Sequence, residues 1–187
     1  MFIGGRVVGH HVCEREKADR LLSGELVEAT GEFEWLGRGL YFWIDNPTRT
    51  RAWRDTRGCV NPVVLRGVID IGFCLNLANG EGALELEEAY ESYIERQAIA
   101  GRSLPTNKRL KYGVPLLRYL DCAVVETLHA LRRGKGLRPY DSIICAFEEG
   151  RFVFNDGCLR DQTHLQLALR NRRYFRDAAK GFREISL

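Results

Sequence analysis

The sequence predicts a single α+β domain that spans residues 1–187. Strand-like and helix-like segments follow the order strand, helix, strand, helix, strand, helix, helix and then mostly strands. This order differs from the regular strand–helix alternation of a doubly wound parallel sheet. The length, the 45% apolar fraction and the 28% charged fraction are those of one globular domain with its own core.

The first half of the chain is predicted to hold three strands and two helices. Gly24 is a typical stop for the first helix, and Asn46 followed by Pro47 is a typical start for the second. Runs of β-branched and aromatic residues mark the strands. The predicted segments are a strand at 6–12, a helix at 14–23, a strand at 40–44, a helix at 47–57 and a strand at 63–71.

The second half is predicted to hold two longer helices followed by short strands. Apolar residues recur at helical spacing on one face of each helix, and the second helix ends at Gly134. The predicted segments are a helix within 82–100, a loop at 101–114, a helix at 115–133, and strands at 142–147, 151–154 and 164–169.

The positive charge is concentrated at the C-terminal end. Arginine supplies 23 of the 28 basic side chains. Residues 132–187 hold 12 basic and 7 acidic side chains, net +5, whereas residues 1–131 hold 16 and 18, net −2. Arginine binds phosphate and carboxylate well, so this region suits a nucleotide, a nucleic acid or an acidic partner. Codon bias and a solvated surface explain the same numbers.

The cysteines and the apolar runs exclude several classes of protein. None of the six cysteines forms a C-x-x-C or C…H ligand pattern, so we expect no structural metal. No apolar run approaches the ~18 residues of a membrane span, and residues 1–9 lack the apolar core of a signal peptide. We therefore expect a cytoplasmic protein with reduced thiols and no membrane association. A cysteine hydrolase that uses Cys13 or Cys158 with a histidine is an alternative.

The strand at 40–44 carries aromatic side chains that suit a flat ligand. Side chains two apart on a strand share a face, so Tyr41 and Trp43 face one side and Phe42 the other. Trp53 lies on the following helix, where it and Tyr41 would form a slot for a flat ring. Stacking contributes about 0.5–1.5 kcal/mol beyond area burial, and a cationic ring gains about 0.5–2 kcal/mol more. Core packing is the simpler explanation of each aromatic side chain.

The last predicted strand, 164–169, alternates leucine with other residues. The three leucines are predicted to face a core, whereas His164 and Gln166 share the opposite face. A half-exposed strand with two polar surface residues is the simpler interpretation when this segment is considered alone.

Three short segments occur in an order that is known from one protein family. They are Gly9-His10-His11, then Leu36-Gly37-Arg38-Gly39-Leu40-Tyr41-Phe42-Trp43, then Thr163-His164-Leu165-Gln166. Together they resemble the ADP-ribosyltransferase superfamily, in the branch of diphtheria toxin and the poly(ADP-ribose) polymerases. The resemblance is best over about 7–54 and 141–175 and weak between them. It implies split antiparallel β-sheets flanked by helices, with an NAD⁺ site.

The resemblance implies roles for residues of the first two segments. His11 matches the family histidine that hydrogen-bonds the adenosine ribose of NAD⁺, and the backbone of Val12 would hold the nicotinamide amide. Tyr41 matches the tyrosine that stacks on the nicotinamide, and Trp53 stands where a second stacking tyrosine is usual. Strand alternation puts His10 and His11 on opposite faces, and the sequence leaves open which of them enters the cleft.

The chain departs from the family pattern at two positions. The family usually has glycine where Val12 stands, and it usually has glutamate at the third position of its triad. Here Gln166 or His164 falls near that position, and neither supplies a carboxylate that would neutralise a cation. These departures argue against polymer elongation, and they leave mono-transfer, NAD⁺ hydrolysis and a binding-only domain open. Glu148 and Glu149 are candidate substitutes, although a charged turn before Gly150 is the simpler explanation of both.

The function that the resemblance implies is NAD⁺-dependent transfer of ADP-ribose, in a toxin-like or defence effector. The acceptor would be a protein or a nucleic acid, and an antitoxin or other partner protein is a further expectation. Arg38 and Arg6 are candidates for holding the NAD⁺ pyrophosphate. Segment 170–176 interleaves arginine with aromatic residues, which suits RNA or DNA, or simply a solvated terminal helix or loop. A non-catalytic module that binds NAD⁺, ADP-ribose or nucleic acid is the alternative function.

Overall fold

Seven strands and five helices form the part of the chain that the computed structural model describes, which is residues 5–80, 82–108 and 117–186. The elements are β1 (Arg6–Glu14), α1 (Arg15–Leu22), β2 (Leu40–Ile44), α2 (Pro47–Arg57), β3 (Pro62–Asp70), β4 (Cys74–Asn76), α3 (Ala83–Ile99), α4 (Tyr119–Gly134), β5 (Ser142–Phe147), β6 (His164–Leu169), α5 (Arg172–Ala179) and β7 (Arg183–Ile185). The predicted α+β class is confirmed.

Local sequence signals explain the best-predicted helix. The Asn46 side chain accepts a hydrogen bond of 3.1 Å from the backbone N–H of Arg49, and Pro47 occupies the first turn, where its missing N–H costs nothing. The helix ends at Gly58, which adopts a left-handed conformation with φ of 64° and donates its N–H to Arg54. Helix α2 therefore begins and ends where the sequence predicts.

The strands form one sheet in the order β4-β5-β6-β2-β1-β3-β7. The resemblance implied split sheets with antiparallel strands. The structure differs in both respects, because all seven strands belong to one sheet and one pair of strands is parallel. β1 and β2 hydrogen-bond to each other, which joins the two halves. β4 and β5 are parallel, because the chain crosses from one to the other through α3 and α4.

The joint between the two halves of the sheet is only two residue pairs long. β1 pairs with β2 at Gly9–Ile44 and His10–Trp43, and beyond that point the strands separate. β1 continues along β3 over all nine of its residues, and β2 continues along β6 from Leu40 to Trp43. The backbone therefore opens into a fork between the last four residues of β1 and the first three residues of β2.

Helices cover both faces of the sheet and bury two apolar clusters. On one face, Phe42 and Leu167 pack with Leu21 of α1 and Phe175 of α5. On the other face, Ile143 and Ala168 pack with apolar side chains of α4. Within the described residues no helix is long and apolar enough to cross a membrane.

Several predicted and observed elements differ. Segment 151–154 is not a strand, since only an isolated bridge between Phe152 and Arg160 forms there. β4, α5 and β7 were not predicted as elements. β4 and β7 have three residues each, too few for a periodic pattern to develop. Residues 109–116, which include part of the predicted loop and of the following helix, lie outside the described residues.

Candidate functional site

A cavity of about 570 Å³ lies at the fork between β1 and β2. Its size falls within the range of about 300–1,000 Å³ that is typical of small-molecule sites. β1, β2, β6, α1 and α2 contribute to its wall, together with segment 29–35. Five residues to which the resemblance assigned a role line this cavity, namely His11, Val12, Tyr41, Trp53 and Gln166.

His11 bridges the open fork and has a defined tautomer. Its Nδ1 lies 2.7 Å from the backbone carbonyl oxygen of Tyr41, and a carbonyl only accepts, so Nδ1 carries the proton and donates it. Burial, reinforced by the positive charge of Lys17, lowers the pKa of His11 to about 3, so the ring is neutral at pH 7. The buried Nε2 is then an acceptor, and it has no hydrogen-bond partner within the described residues.

Tyr41 contributes the face of its ring, because its hydroxyl group is fully engaged. The hydroxyl donates to the carbonyl of Gly37 at 2.6 Å and accepts from the backbone N–H of Leu36 at 2.7 Å. Burial raises the pKa of Tyr41 well above its usual value, so the phenol does not exchange a proton at neutral pH. Gly37 has a φ of 71°, which glycine adopts without strain.

Two tryptophans extend the aromatic wall. The rings of Trp43 and Trp53 meet at a centroid distance of 6.2 Å and an angle of 61°. Trp43 is only 6% exposed and packs with Val12 and Val64. Its buried indole Nε1 has no hydrogen-bond partner in the described part of the chain. The side chain of Val12 is thus held in an apolar cluster beside the cavity.

Gln166, and not His164, lines the cavity. Gln166 is paired with Trp43 across β6 and β2, and its buried Oε1 has no hydrogen-bond partner among the described residues. His164 is also buried, but its Nδ1 lies 2.8 Å from the carbonyl of Gln162 and its ring packs against Phe147. Sequence analysis left Gln166 and His164 as alternatives for the third position of the triad, and only Gln166 lines the cavity.

The predicted burial pattern of β6 is wrong at its first residues. Leu167 and Leu169 are fully buried as predicted, whereas Leu165 is 39% exposed and His164 is buried. Leu165 lies beyond Gln166, the first residue of β6 that pairs with β2, whereas the ring of His164 packs against Phe147.

A carboxylate reaches the cavity from the turn after β5. Glu149 accepts a hydrogen bond from Nη2 of Arg49, and both side chains line the cavity. Glu148 is exposed. Sequence analysis missed Arg49, although the spacing of Arg49 and Trp53 places them on one face of α2. Arg49 balances the charge of Glu149 inside the cavity.

The two arginines proposed for the pyrophosphate do not line this cavity. The Arg38 side chain is exposed and belongs to a second cavity of about 490 Å³, and its backbone N–H donates to Glu126 on α4 at 2.8 Å. Arg6 is exposed at the opposite end of β1 from the fork. Glu126 holds the turn that carries Arg38 against α4, and Arg38 therefore lies at the second cavity and not at the fork.

The basic segment 170–176 also lies apart from this cavity. Arg170 forms an ion pair with Glu126 at 2.7 Å, and Phe175 is fully buried in the core. Arg172, Arg173 and Arg176 are exposed and form no ion pair within the described residues. Much of this segment is therefore structural, and only one face of α5 is a free basic surface.

Cysteine chemistry is not supported at the site. Cys13 lines the cavity, but burial raises its pKa to about 11, so the thiol is protonated at neutral pH. The hydrogen bonds of Cys122 and Cys145 go to backbone carbonyl groups, and no disulfide joins two cysteines within the described residues. No group of three metal-ligating side chains occurs there either.

Five aromatic residues line the cavity, namely Phe33, Trp35, Tyr41, Trp43 and Trp53. Three lining residues, His11, Trp43 and Gln166, each bury a polar atom without a hydrogen-bond partner within the described residues. This arrangement can bind a ligand that has a flat ring and, on another part, hydroxyl groups. No family model, no curated protein and no solved structure matches the chain. The function is therefore argued from the chemistry of the cavity.

Proposed function

We propose that the protein is an NAD⁺-dependent mono-ADP-ribosyltransferase that transfers ADP-ribose to a macromolecular acceptor and releases nicotinamide. The observation that carries the proposal is the meeting of His11, Tyr41, Trp53 and Gln166 in one cavity. Their order in the sequence resembles an ADP-ribosyltransferase, and their grouping at the fork fits a ligand with a flat ring and ribose hydroxyls.

The chemistry needs positioning more than proton transfer. The bond between the ribose carbon and the nicotinamide nitrogen breaks, and nicotinamide leaves as a neutral molecule with the bonding electron pair. The acceptor attacks the ribosyl cation and loses a proton to solvent. Tyr41 and Trp53 offer ring faces to the cationic nicotinamide of NAD⁺, and Nε2 of His11 accepts from a ribose hydroxyl.

The polar groups near the reacting centre favour a single transfer. Gln166 is neutral, so it hydrogen-bonds a hydroxyl but does not neutralise a cation. Glu149 is the nearby carboxylate, and its charge is shared with Arg49. The same observation favours the second candidate function, a non-catalytic module that binds NAD⁺ or ADP-ribose without cleaving it.

One experiment separates the two functions. The pure protein is incubated with NAD⁺ labelled on its adenosine half, with cell lysate, and with or without RNase. We expect nicotinamide release and labelled acceptor, and loss of the label with RNase would identify RNA. A rise in melting temperature with NAD⁺ but no nicotinamide release would select the binding module. If NAD⁺ neither raises the melting temperature nor releases nicotinamide, both functions are contradicted.

A further inference from the structure

Trp43 and Gln166 line the cavity, and each carries a buried polar atom that has no hydrogen-bond partner within the described residues. They face each other as directly paired residues of β2 and β6, so their Cβ atoms are about 4.5–5.5 Å apart on one face of the sheet. Both line the cavity. The indole Nε1 of Trp43 only donates, the amide Oε1 of Gln166 only accepts, and within the described residues neither buried atom has a partner.

The two atoms together restrict what can bind between them. A carboxylate or phosphate oxygen would accept from Trp43 but has no proton for Oε1 of Gln166 in the amide orientation of this structure. An ammonium group would donate to Gln166 but cannot accept from Trp43. A hydroxyl group does both through one oxygen. Leaving the two atoms without a partner is unfavourable, because a buried polar atom that forms no hydrogen bond keeps its full desolvation penalty.

We propose that Trp43 is a specificity-determining residue, whose indole N–H donates to a ribose 2′-hydroxyl that in turn donates to Oε1 of Gln166. This inference rests on the proposed function, since it names how the NAD⁺-derived ligand is recognised. The pair selects ribose over deoxyribose, and it holds the sugar without a negative charge. Trp43 thereby completes the hydrogen-bonding role of Gln166, which lacks the carboxylate of a glutamate.

The test measures binding of ADP-ribose, which the proposed reaction does not consume. Calorimetric titration compares ADP-ribose with its two singly deoxygenated forms, which lack the 2′-hydroxyl of either the terminal ribose or the adenosine ribose. We expect the wild type to bind one of them about fivefold to tenfold more weakly than ADP-ribose, because one hydroxyl bridge is lost. The weaker form identifies which ribose lies between Trp43 and Gln166.

Trp43→Phe keeps an aromatic ring and removes the N–H. We expect it to bind ADP-ribose about fivefold to tenfold more weakly and to lose the discrimination between the two forms. Gln166→Leu, a partly exposed position, should give the same loss of discrimination if Trp43→Phe fails to fold. Trp53→Phe is the matched control, since it should weaken all three ligands equally.

Equal binding of all three ligands by the wild type would overturn the inference and leave the proposed function standing. The inference would also be overturned if Trp43→Phe and Gln166→Leu both still bound one deoxygenated form more weakly than ADP-ribose. Weaker binding of free nicotinamide to Trp43→Phe would also overturn it, because the pair would then recognise a carboxamide. Failure of the wild type to bind ADP-ribose, with no release of nicotinamide from NAD⁺, would contradict both proposals.

Discussion

The two cavities of this protein have similar sizes and share a wall, but their polar groups differ. Segment 29–35 lies between them, and their volumes are about 570 Å³ at the fork and about 490 Å³ beside α4. In the cavity beside α4, Glu126 accepts hydrogen bonds from Arg170 and from the backbone of Arg38, and Cys122 donates to Gly31. At the fork, buried polar atoms of three residues lack partners within the described ranges, namely His11, Trp43 and Gln166.

This difference shows that volume does not identify a binding site. A protein usually pairs its buried polar atoms, because an unpaired one costs about 1–3 kcal/mol. The cavity beside α4 meets this requirement through its own side chains. The fork cavity does not, and it concentrates unpaired donors and acceptors beside aromatic rings. The fork cavity is therefore the stronger candidate for a ligand site.

His11→Ala should have the largest effect and provides the strongest test of the comparison. The variant removes the Nε2 acceptor and also the hydrogen bond that holds the carbonyl of Tyr41 across the fork. We expect nicotinamide release from NAD⁺ to fall by about 100-fold or more, because both the bound NAD⁺ and the ring of Tyr41 lose their alignment. Release is measured by chromatography, and the melting temperature is measured in parallel to confirm folding.

Arg38→Ala is the matched control for this prediction, on the other cavity. The variant removes an exposed side chain and keeps the backbone hydrogen bond to Glu126. We expect nicotinamide release to stay within about twofold of the wild type. A large loss of activity in Arg38→Ala, together with an unaffected His11→Ala, would reverse the assignment of the two cavities.

Gln166→Ala and His164→Ala should rank in a defined order. Both residues lie on β6 and both bury an unpaired polar atom, but only Gln166 lines the fork cavity. We expect about a tenfold loss of nicotinamide release for Gln166→Ala and less than threefold for His164→Ala. The reverse ranking would mean that His164 occupies the third position of the site.

The sequence predicted elements well where local chemistry decides them. Asn46 followed by Pro47 determines the start of α2, and the aromatic and β-branched run at 40–44 determines β2. For the segment that contains α5, the arginines suggested a nucleic-acid surface or a solvated terminal helix or loop, and the structure has a helix with exposed arginines there. The buried Phe175 shows that this helix is anchored in the core, a contact between distant parts of the chain that local composition does not reveal.

The candidate site was predictable in its members but not in its chemistry. Alternation along β2 correctly put Tyr41 and Trp43 on one face. That the Nε2 of His11 and the Nε1 of Trp43 lack partners depends on where β1 and β2 separate. This register is set by packing across the sheet and leaves no pattern in the sequence. Arg38 was misplaced for the same reason, since its contact with Glu126 joins residues 88 positions apart.

The pH dependence of stability should show the smallest effect and compares one histidine from each region. His11 lies in the fork cavity, and His129 lies on α4 in the electrostatic field of Glu126 and Arg170, which surround the other cavity. Burial lowers the pKa of both histidines to about 3, against about 6.5 when the chain is unfolded. Between these values only the unfolded chain binds the proton, so the free energy of unfolding is highest above pH 6.5 and falls with pH below it.

We expect each histidine to account for about 2 kcal/mol of the stability lost between pH 7 and pH 5. His11→Gln and His129→Leu should therefore each lose less stability over this interval than the wild type, as measured by urea unfolding at the two pH values. Only His11→Gln should also weaken binding of ADP-ribose at pH 7, because only His11 lines the fork cavity. Equal weakening by both variants would show that the loss of any buried histidine, and not the position of His11 in the cavity, explains the sensitivity of the site.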